Sequence, residues 1–403
     1  MLIKIARRNI WRSKKRSITL LIAISLGLWS GMFLIAFYNG MIEQRVDAAI
    51  RDEISHIQIH HREFLNDFDS EFVIPDASNT LQSINENPAV KASAGRVILY
   101  GMIASPAGST GIKINGIQAE SENKLTQLST KLIEGHYFNP LKSNEILIGQ
   151  KLANKLKLNL NKKTILTFQD TSGNLASAAF RIVGIFKTQN TPFDEANVFV
   201  NYAAIDSLAG LHGGIHEIAV LLHSNSSLDS CLSQFKQLLP DADVKSWVEI
   251  SPEIGITVSA GTQMVYIYMG IILLALTFGI INTMMMSVLE RTREIGMLLA
   301  LGMNKFKIFT MILWETCFLI LAGCPVGMLL ALLTISITHH YGIHLDSYSE
   351  VYSNFGYSPI VYPNLNGDQL IKIIIMVTIT ALVSSILPAQ RALKIKPATA
   401  IKN

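Results

Sequence analysis

The residues that could carry chemistry in this chain do not form a recognised catalytic motif. The sequence contains no G-x-x-x-x-G-K-[ST] segment, the glycine-rich loop with which P-loop proteins bind ATP. It also lacks the G-x-S-x-G and H-E-x-x-H segments of hydrolases and zinc proteases. His56 and His60 share one face of a predicted strand, and we interpret them as surface histidines. We therefore predict that the chain is not an enzyme and has no catalytic, cofactor or metal site.

One short segment combines charges of both signs in a pattern that favours protein binding. Basic residues alone would satisfy the rule that cytoplasmic loops are positive, so its two glutamates need another explanation. A charged amphipathic segment between two membrane helices can dock into a cleft of a cytoplasmic partner; the alternative is a solvated loop. We predict the docking role for seven residues: Glu290, Arg291, Thr292, Arg293, Glu294, Ile295 and Gly296.

The composition indicates a membrane protein. Of the 403 residues, 49% are hydrophobic and 16% are charged, whereas about 25% are charged in soluble domains. The apolar content excludes a disordered chain. Three cysteines are too few for a disulfide-stapled secreted domain, and a net charge of +4 is too weak to indicate nucleic acid as a partner.

Four segments are long and apolar enough to cross a bilayer, which takes about 20 residues. We predict transmembrane helices at 17–42, 254–289, 308–338 and 370–390. The first is too long for the apolar region of a signal peptide, so we interpret it as retained. As a helix, 254–289 would span about 54 Å, against roughly 30 Å of hydrocarbon. We predict that it continues outside as a stalk; the alternative is a tilted helix with a frayed start.

Basic residues group on one predicted side of the membrane. Segments 1–16, 290–307 and 391–403 hold 15 of them, whereas the loop 339–369 holds none. The positive-inside rule then places both termini in the cytoplasm and 43–253 outside. We predict an interfacial helix at 1–16, with a simple basic anchor as the alternative.

Alternating strand and helix patterns in 43–253 predict an α/β (α+β) domain. Runs such as 56–61, 111–117 and 145–149 are predicted strands, and 217–248 is a predicted β-α-β unit. We predict two sub-domains with a boundary near 212–215, where two glycines occur together.

Glu315 is a charged residue inside the third predicted membrane helix. A carboxylate there costs about 2.5–3.5 kcal/mol near the membrane centre and is a functional candidate for that reason. We favour the alternative that it forms a buried ion pair with a basic residue of 1–16.

Three stretches resemble one protein family. Residues 290–302, Glu-Arg-Thr-Arg-Glu-Ile-Gly-Met-Leu-Leu-Ala-Leu-Gly, resemble the signature of FtsX/MacB/LolC-type ABC transporter permeases. The ending 387–401 is similar to that of the same family, and 145–186 resembles the MacB-type periplasmic core domain. The resemblance implies an α-helical membrane protein with four transmembrane helices and an α/β periplasmic domain, in the bacterial inner membrane.

The resemblance also implies a function without catalysis in this chain. A separate ABC ATPase subunit dimer would bind ATP and magnesium, hydrolyse ATP and act on 290–296 as a coupling segment. The membrane helices would pass the motion to the periplasmic domain, which is called mechanotransmission. The partner permease would be a second copy or a paralogue.

Within the family, the region after the first helix is most similar to the lipoprotein-releasing LolC/LolE branch. That branch implies lipoprotein release to a periplasmic carrier, with acyl chains entering between helices one and two. Candidate lipid or cargo contacts at that level, which could equally form an aromatic belt, are Phe37, Tyr38, Met41, Met264, Tyr266 and Tyr268. Two alternatives stay open: MacB-like efflux of peptides or small molecules, and FtsX-like regulation of cell-wall hydrolases.

Overall fold

A computed structural model describes residues 14–139 and 142–395. The chain divides into two compact units. The helical unit has the bounds Met1–Ile42, Val258–His344 and Ile360–Asn403, and the α/β unit has the bounds Glu43–Thr257 and Leu345–Pro359. The predicted interfacial helix at 1–16 falls almost wholly outside the described residues, as does most of the tail 391–403.

The described chain contains long helices at both ends and short helices between strands. The helices are α1 (Lys14–Ala49), α2 (Phe64–Asp67), α3 (Ala77–Asn85), α4 (Ala119–Thr126), α5 (Gln150–Lys155), α6 (Thr191–Ala196), α7 (Tyr202–Ala209), α8 (Leu228–Leu238), α9 (Trp247–Ile250), α10 (Pro252–Glu290), α11 (Thr292–Ala300), α12 (Lys305–Tyr341), α13 (Ser349–Asn354) and α14 (Gly367–Leu393). The strands are β1 (Ile57–His61), β2 (Val90–Ser105), β3 (Gly108–Ile117), β4 (Leu132–Gly135), β5 (Glu145–Gly149), β6 (Lys163–Gln169), β7 (Leu175–Phe186), β8 (Asn197–Asn201), β9 (Glu217–Leu222), β10 (Ala242–Ser246), β11 (Ile343–His344) and β12 (Ile360–Val361). A π-helical turn, Ile50–Ile54, directly follows α1.

Four helices of the described chain, α1, α10, α12 and α14, are long and apolar enough to cross a membrane. Small residues let α1 and α12 pack closely. A Cβ atom added to Gly327 would lie 2.6 Å from the carbonyl oxygen of Ser25, and Ser25 Oγ donates to the carbonyl of Gly323 at 2.9 Å. Trp29 Nε1 donates to Thr334 Oγ1 at 2.8 Å further along the same contact. These close contacts and polar bonds between helices are the interactions that hold helices together in lipid.

The α/β unit is built on a ten-stranded mixed sheet. The strand order is β10-β1-β9-β2-β3-β8-β5-β7-β4, and β6 pairs with β2 and β7. β3 pairs with β8, and β5 with β7, in parallel; the other pairs are antiparallel. Every residue of β5 and β9 is buried, which is why these strands are nearly continuous apolar runs in the sequence.

The long strand β2 belongs to two groups of strands. Its first part, up to Arg96, pairs with β9 in the order β10-β1-β9-β2. β1 and β2 are parallel, with β9 between them, and the chain connects them through helices. β9 and β10 are likewise parallel, with β1 between them, and are connected through α8. This is a double split β-α-β arrangement. The second part of β2 closes a ring of six strands with β3, β8, β5, β7 and β6.

The predicted sub-domain boundary near 212–215 is a turn between α7 and β9 in the structure. His212 and Gly213 have φ angles of 53° and 91°, and strands before and after the turn belong to the same sheet. At this turn the chain passes from β8 of the six-strand ring to β9 of the β10-β1-β9-β2 group. The two groups share β2, so two separate sub-domains with a boundary here stay a prediction.

The prediction that His56 and His60 are surface histidines is wrong, because both are buried. His60 Nδ1 contacts the carbonyl oxygen of His216 at 3.0 Å. The ring of Phe64 stacks on His60 and on His216, with centroid distances of 5.5 and 5.0 Å. The sequence predicted that the two histidines share one face of the strand, but Phe64 of α2 covers this face at His60. An alternating sequence pattern does not show which strand face another element will cover.

A buried ion network lies where the two strand groups meet. The Arg96 guanidinium donates to both carboxylate oxygens of Glu122, at 2.8 and 2.7 Å, and to Glu217 Oε1 at 2.7 Å. Lys113 Nζ lies 4.0 Å from Glu217 Oε2. Burial opposes ionisation of Glu217, but the charges of Lys113 and Arg96 outweigh it and lower the pKa of this carboxyl.

We expect Arg96→Met to destabilise the α/β unit by about 3–5 kcal/mol, because it removes the cation from buried Glu122 and leaves buried Glu217 with Lys113 alone. Calorimetry of the full chain in detergent measures the change in Tm. Lys124→Met is the control, since its ion pair with Glu120 is exposed and solvent screens such pairs. Because the pKa of Glu217 is lowered, its stabilisation is present above roughly pH 4.3 and is lost as the pH falls through the lowered value. Equal Tm values for the two variants would contradict the role of the network.

Candidate coupling site

The predicted docking segment folds into the end of α10, a single connecting residue and the short helix α11. Arg291 is that residue, and its φ of −104° and ψ of 15° interrupt the helix. Gly302 ends the segment with a φ of +85°, a conformation that glycine adopts without strain. The side chain of Asn304 then caps α12 by accepting a hydrogen bond from the backbone N–H of Phe306 at 3.0 Å. These turns place α11 between two membrane helices.

Arg291 ties this segment to α12. Its Nη1 lies 3.3 Å from Glu315 Oε2, and its Nε lies 3.2 Å from Glu294 Oε2. The side chain of Glu315 is 3% exposed, and a carboxylate buried in a membrane helix needs such a partner. Glu315 therefore forms an ion pair with Arg291 of the predicted docking segment. The predicted ion pair with a basic residue of 1–16 stays a prediction, because those side chains lie outside the described residues.

One face of α11 is part of the hydrophobic core of the helical unit. Ile295 and Gly296 are buried. Ile295 belongs to the same buried cluster as Val288 of α10 and Ile308 of α12. Burial of this face fixes the rotation of α11, so the residues on the opposite face are held towards solvent.

The opposite side carries large apolar side chains next to charged ones. Met297, Leu301 and Phe306 are 45%, 85% and 68% exposed. Glu290 and Arg293 are exposed as well. Exposed apolar side chains with a polar rim mark sites of interaction with a protein or a membrane. We call these five residues the docking surface.

The sequence prediction and the docking surface overlap in part. Of the seven predicted residues, Glu290 and Arg293 lie on the surface. The other five predicted residues are buried or half-buried against neighbouring parts of the chain: Arg291, Thr292, Glu294, Ile295 and Gly296. The prediction missed Met297, Leu301 and Phe306 as individual contact residues. The four-residue spacing of 293, 297 and 301, which puts them on one helix face, could have indicated two of them.

A small pocket of about 90 Å³ lies between α1, α10 and α14 in the helical unit. Two of the candidate lipid contacts, Tyr38 and Tyr266, line it together with Met269. Its polar side includes Thr262, Lys372 and Asn39, whose Nδ2 donates to Gln369 Oε1. An apolar wall beside a polar edge suits the end of an apolar chain that carries a polar group, but the pocket is far smaller than the roughly 300–1,000 Å³ typical of sites that enclose a whole ligand.

The other candidate lipid contacts do not line this pocket. Met264 and Tyr268 are exposed on α10, and Phe37 and Met41 are half-buried on α1. The structure thus brings two of the six predicted residues together and leaves four apart from them.

Two family models match the chain. The FtsX-like permease C-terminal model matches residues 266–397, which include the whole docking surface. The MacB-like periplasmic core domain model matches residues 17–238, more than half of the 403 residues.

Similar curated proteins are permeases of ABC transporters. The lipoprotein-releasing system transmembrane protein LolC of Neisseria meningitidis is 22% identical over 420 residues, covering 97% of this chain and 96% of that protein. The uncharacterized ABC transporter permease YknZ of Bacillus subtilis is 24% identical, covering 99% and 98%. An uncharacterized ABC transporter permease of Methanocaldococcus jannaschii is 26% identical over 224 residues, covering 54% of this chain and about half, 53%, of the relative.

Proposed function

Because the chain belongs to the family of FtsX-like and MacB-like ABC transporter permeases, we propose that it couples ATP hydrolysis by a separate ATPase subunit to movement of its α/β unit. The observation that carries the proposal is the docking surface. It combines exposed Leu301 and Phe306 with charges on a short helix, and the buried opposite face holds that helix in place.

The helices supply the path for the motion. α10 runs without interruption through 39 residues from Pro252 to Glu290, a length of about 58 Å. Its C-terminal end leads directly into the docking surface, and the Arg291–Glu315 ion pair links the same point to α12. A displacement of α11 would therefore act on two membrane helices at once.

The distribution of charge supports the orientation. With 15 basic residues in 1–16, 290–307 and 391–403, the positive-inside rule places the docking surface and both termini in the cytoplasm. The α/β unit is then periplasmic, and the chain is a multi-pass protein of the bacterial inner membrane.

We expect Leu301→Asp to weaken binding of the ATPase subunit roughly ten-fold or more, because a charge would enter an apolar contact. The variant should fold normally, since this side chain is 85% exposed. Affinity of the purified chain for the ATPase subunit, and Tm, measure the two effects.

Leu175→Asp is the matched control, because Leu175 is 80% exposed on the α/β unit. The same change there should leave ATPase binding within two-fold of the wild type. Equal binding by both variants would refute the docking role, and a loss of Tm in the Leu301 variant alone would show a structural effect instead.

The cargo that we propose is a lipoprotein released from the inner membrane. Support comes from the full-length similarity to a protein named for lipoprotein release and from the pocket beside Tyr38 and Tyr266. A second permease copy or a paralogue would complete the transporter, and a periplasmic carrier would receive the cargo. MacB-like efflux is the second candidate, supported by the match to the MacB-like core domain; FtsX-like regulation is the third.

A photo-reactive amino acid at position 266 should crosslink lipid-anchored proteins in membranes that contain the assembled transporter. Position 100 is the control, because Tyr266 and Tyr100 are similarly exposed, at 59% and 48%, but Tyr100 belongs to the α/β unit. Mass spectrometry identifies the adducts. Acylated peptides enriched at 266 support lipoprotein release, and their absence there, or equal amounts at both positions, would contradict it.

A further inference from the structure

A cleft in the α/β unit collects positive charge, although the domain as a whole is acidic. Residues 43–253 contain 24 acidic and 18 basic side chains. Five basic side chains nevertheless line one cleft of about 370 Å³: Arg51, Lys91, Lys124, Lys131 and Lys187. Among the described residues that line it, Asp52 is the one acidic side chain.

Most of these cations are not neutralised by neighbours. Asp52 is engaged by Lys131, with 2.6 Å between Oδ1 and Nζ. Lys124 pairs with exposed Glu120, an interaction that solvent weakens. Within the described residues, Arg51, Lys91 and Lys187 form no direct ion pair, although Lys187 interacts at longer range with the carboxyl of Asp194. The cleft therefore keeps a net positive charge, and concave surfaces lined by one sign of charge attract the opposite ion.

The other lining residues favour a polar ligand over an acyl chain. Leu125 and Leu221 are its apolar side chains, whereas Gln127 and Gln189 offer side-chain amide donors. The hydroxyls of Thr126 and Thr188 already donate to the carbonyl of Glu122 and to Asp194. The volume lies within the range of about 300–1,000 Å³ that is typical of small-molecule sites. Several cationic groups with amide donors beside them match an anion that carries more than one charge and several oxygen atoms.

We propose that this cleft binds a phosphate-bearing anion, with Lys91 and Lys187 as its principal charged contacts. A phosphate group carries about −1.5 to −2 charges at neutral pH, and lysine is a common phosphate ligand because its charge is compact. A single carboxylate would leave most of the cleft's charge uncompensated. The phosphate could be that of an anionic lipid headgroup or of a free ion, and the two sources share this chemistry.

The test uses the full chain in nanodiscs of zwitterionic lipid. Calorimetry measures binding of pyrophosphate as the free anion and of dihexanoyl phosphatidylglycerol as the anionic headgroup, with dihexanoyl phosphatidylcholine as the neutral comparison. We expect saturable binding of at least one anion, which weakens roughly ten-fold or more in the double variant Lys91→Glu, Lys187→Glu. Preference for the lipid identifies a headgroup site, and preference for pyrophosphate identifies a free-phosphate site.

Lys162→Glu with Lys163→Glu is the matched control, because it makes the same charge change at two exposed lysines of the same unit outside the cleft. It should keep wild-type affinity, and both double variants should keep the wild-type Tm. Absence of binding to the wild type, equal loss in both double variants, or tighter binding of poly-glutamate than of either phosphate compound would overturn the proposal.

Discussion

The backbone pairing of β1 with β10 is the constraint on which the rest of the structure depends. β1 is the strand that follows α1, and β10 is the strand that precedes α10. The two are antiparallel neighbours, with Ile57 opposite Ser246, and the N–H of Trp247 donates to the carbonyl of His56 at 3.0 Å next to this pair. The chain thus leads from two helices long enough to cross a membrane into neighbouring strands at one edge of the sheet, which is the route that the proposed coupling would use.

The turn between α1 and β1 is held by charge as well as by the ladder. Asp52 pairs with Lys131, and Glu53 pairs with Arg45 at 2.9 Å and accepts from Asn190 Nδ2 at 2.9 Å. These three bonds hold the π-helical turn to other residues of the α/β unit. The proposed anion cleft includes Arg51 and Asp52 of this same turn, so a bound phosphate would add a further restraint where α1 ends.

The sequence predicted the features that depend on local pattern. Apolar length indicated the membrane helices, and the comparisons confirm the family and the combination of four helices with an α/β domain. What it could not predict depends on contacts between residues far apart in the chain. The sequence does not indicate that β2 belongs to two strand groups, because the strand continues without a break at Arg96, where its pairing with β9 ends. The burial of His60 depends on α2 and β9, and the ion pair of Glu315 with Arg291 depends on the turn at Arg291.

The most direct test of mechanical coupling is hydrogen exchange in the complete transporter. The full chain, assembled with its ATPase subunit, is compared with and without ATP, both as wild type and with three glycines inserted after Ser55. A matched insertion after Gly173, in the exposed turn between β6 and β7, is the control. We expect ATP to change the exchange of β1 and β10 amides in the wild type and the control but not in the Ser55 insertion, which should still hydrolyse ATP. Unchanged exchange of both strands in the wild type, or the same ATP response after the Ser55 insertion, would contradict the account.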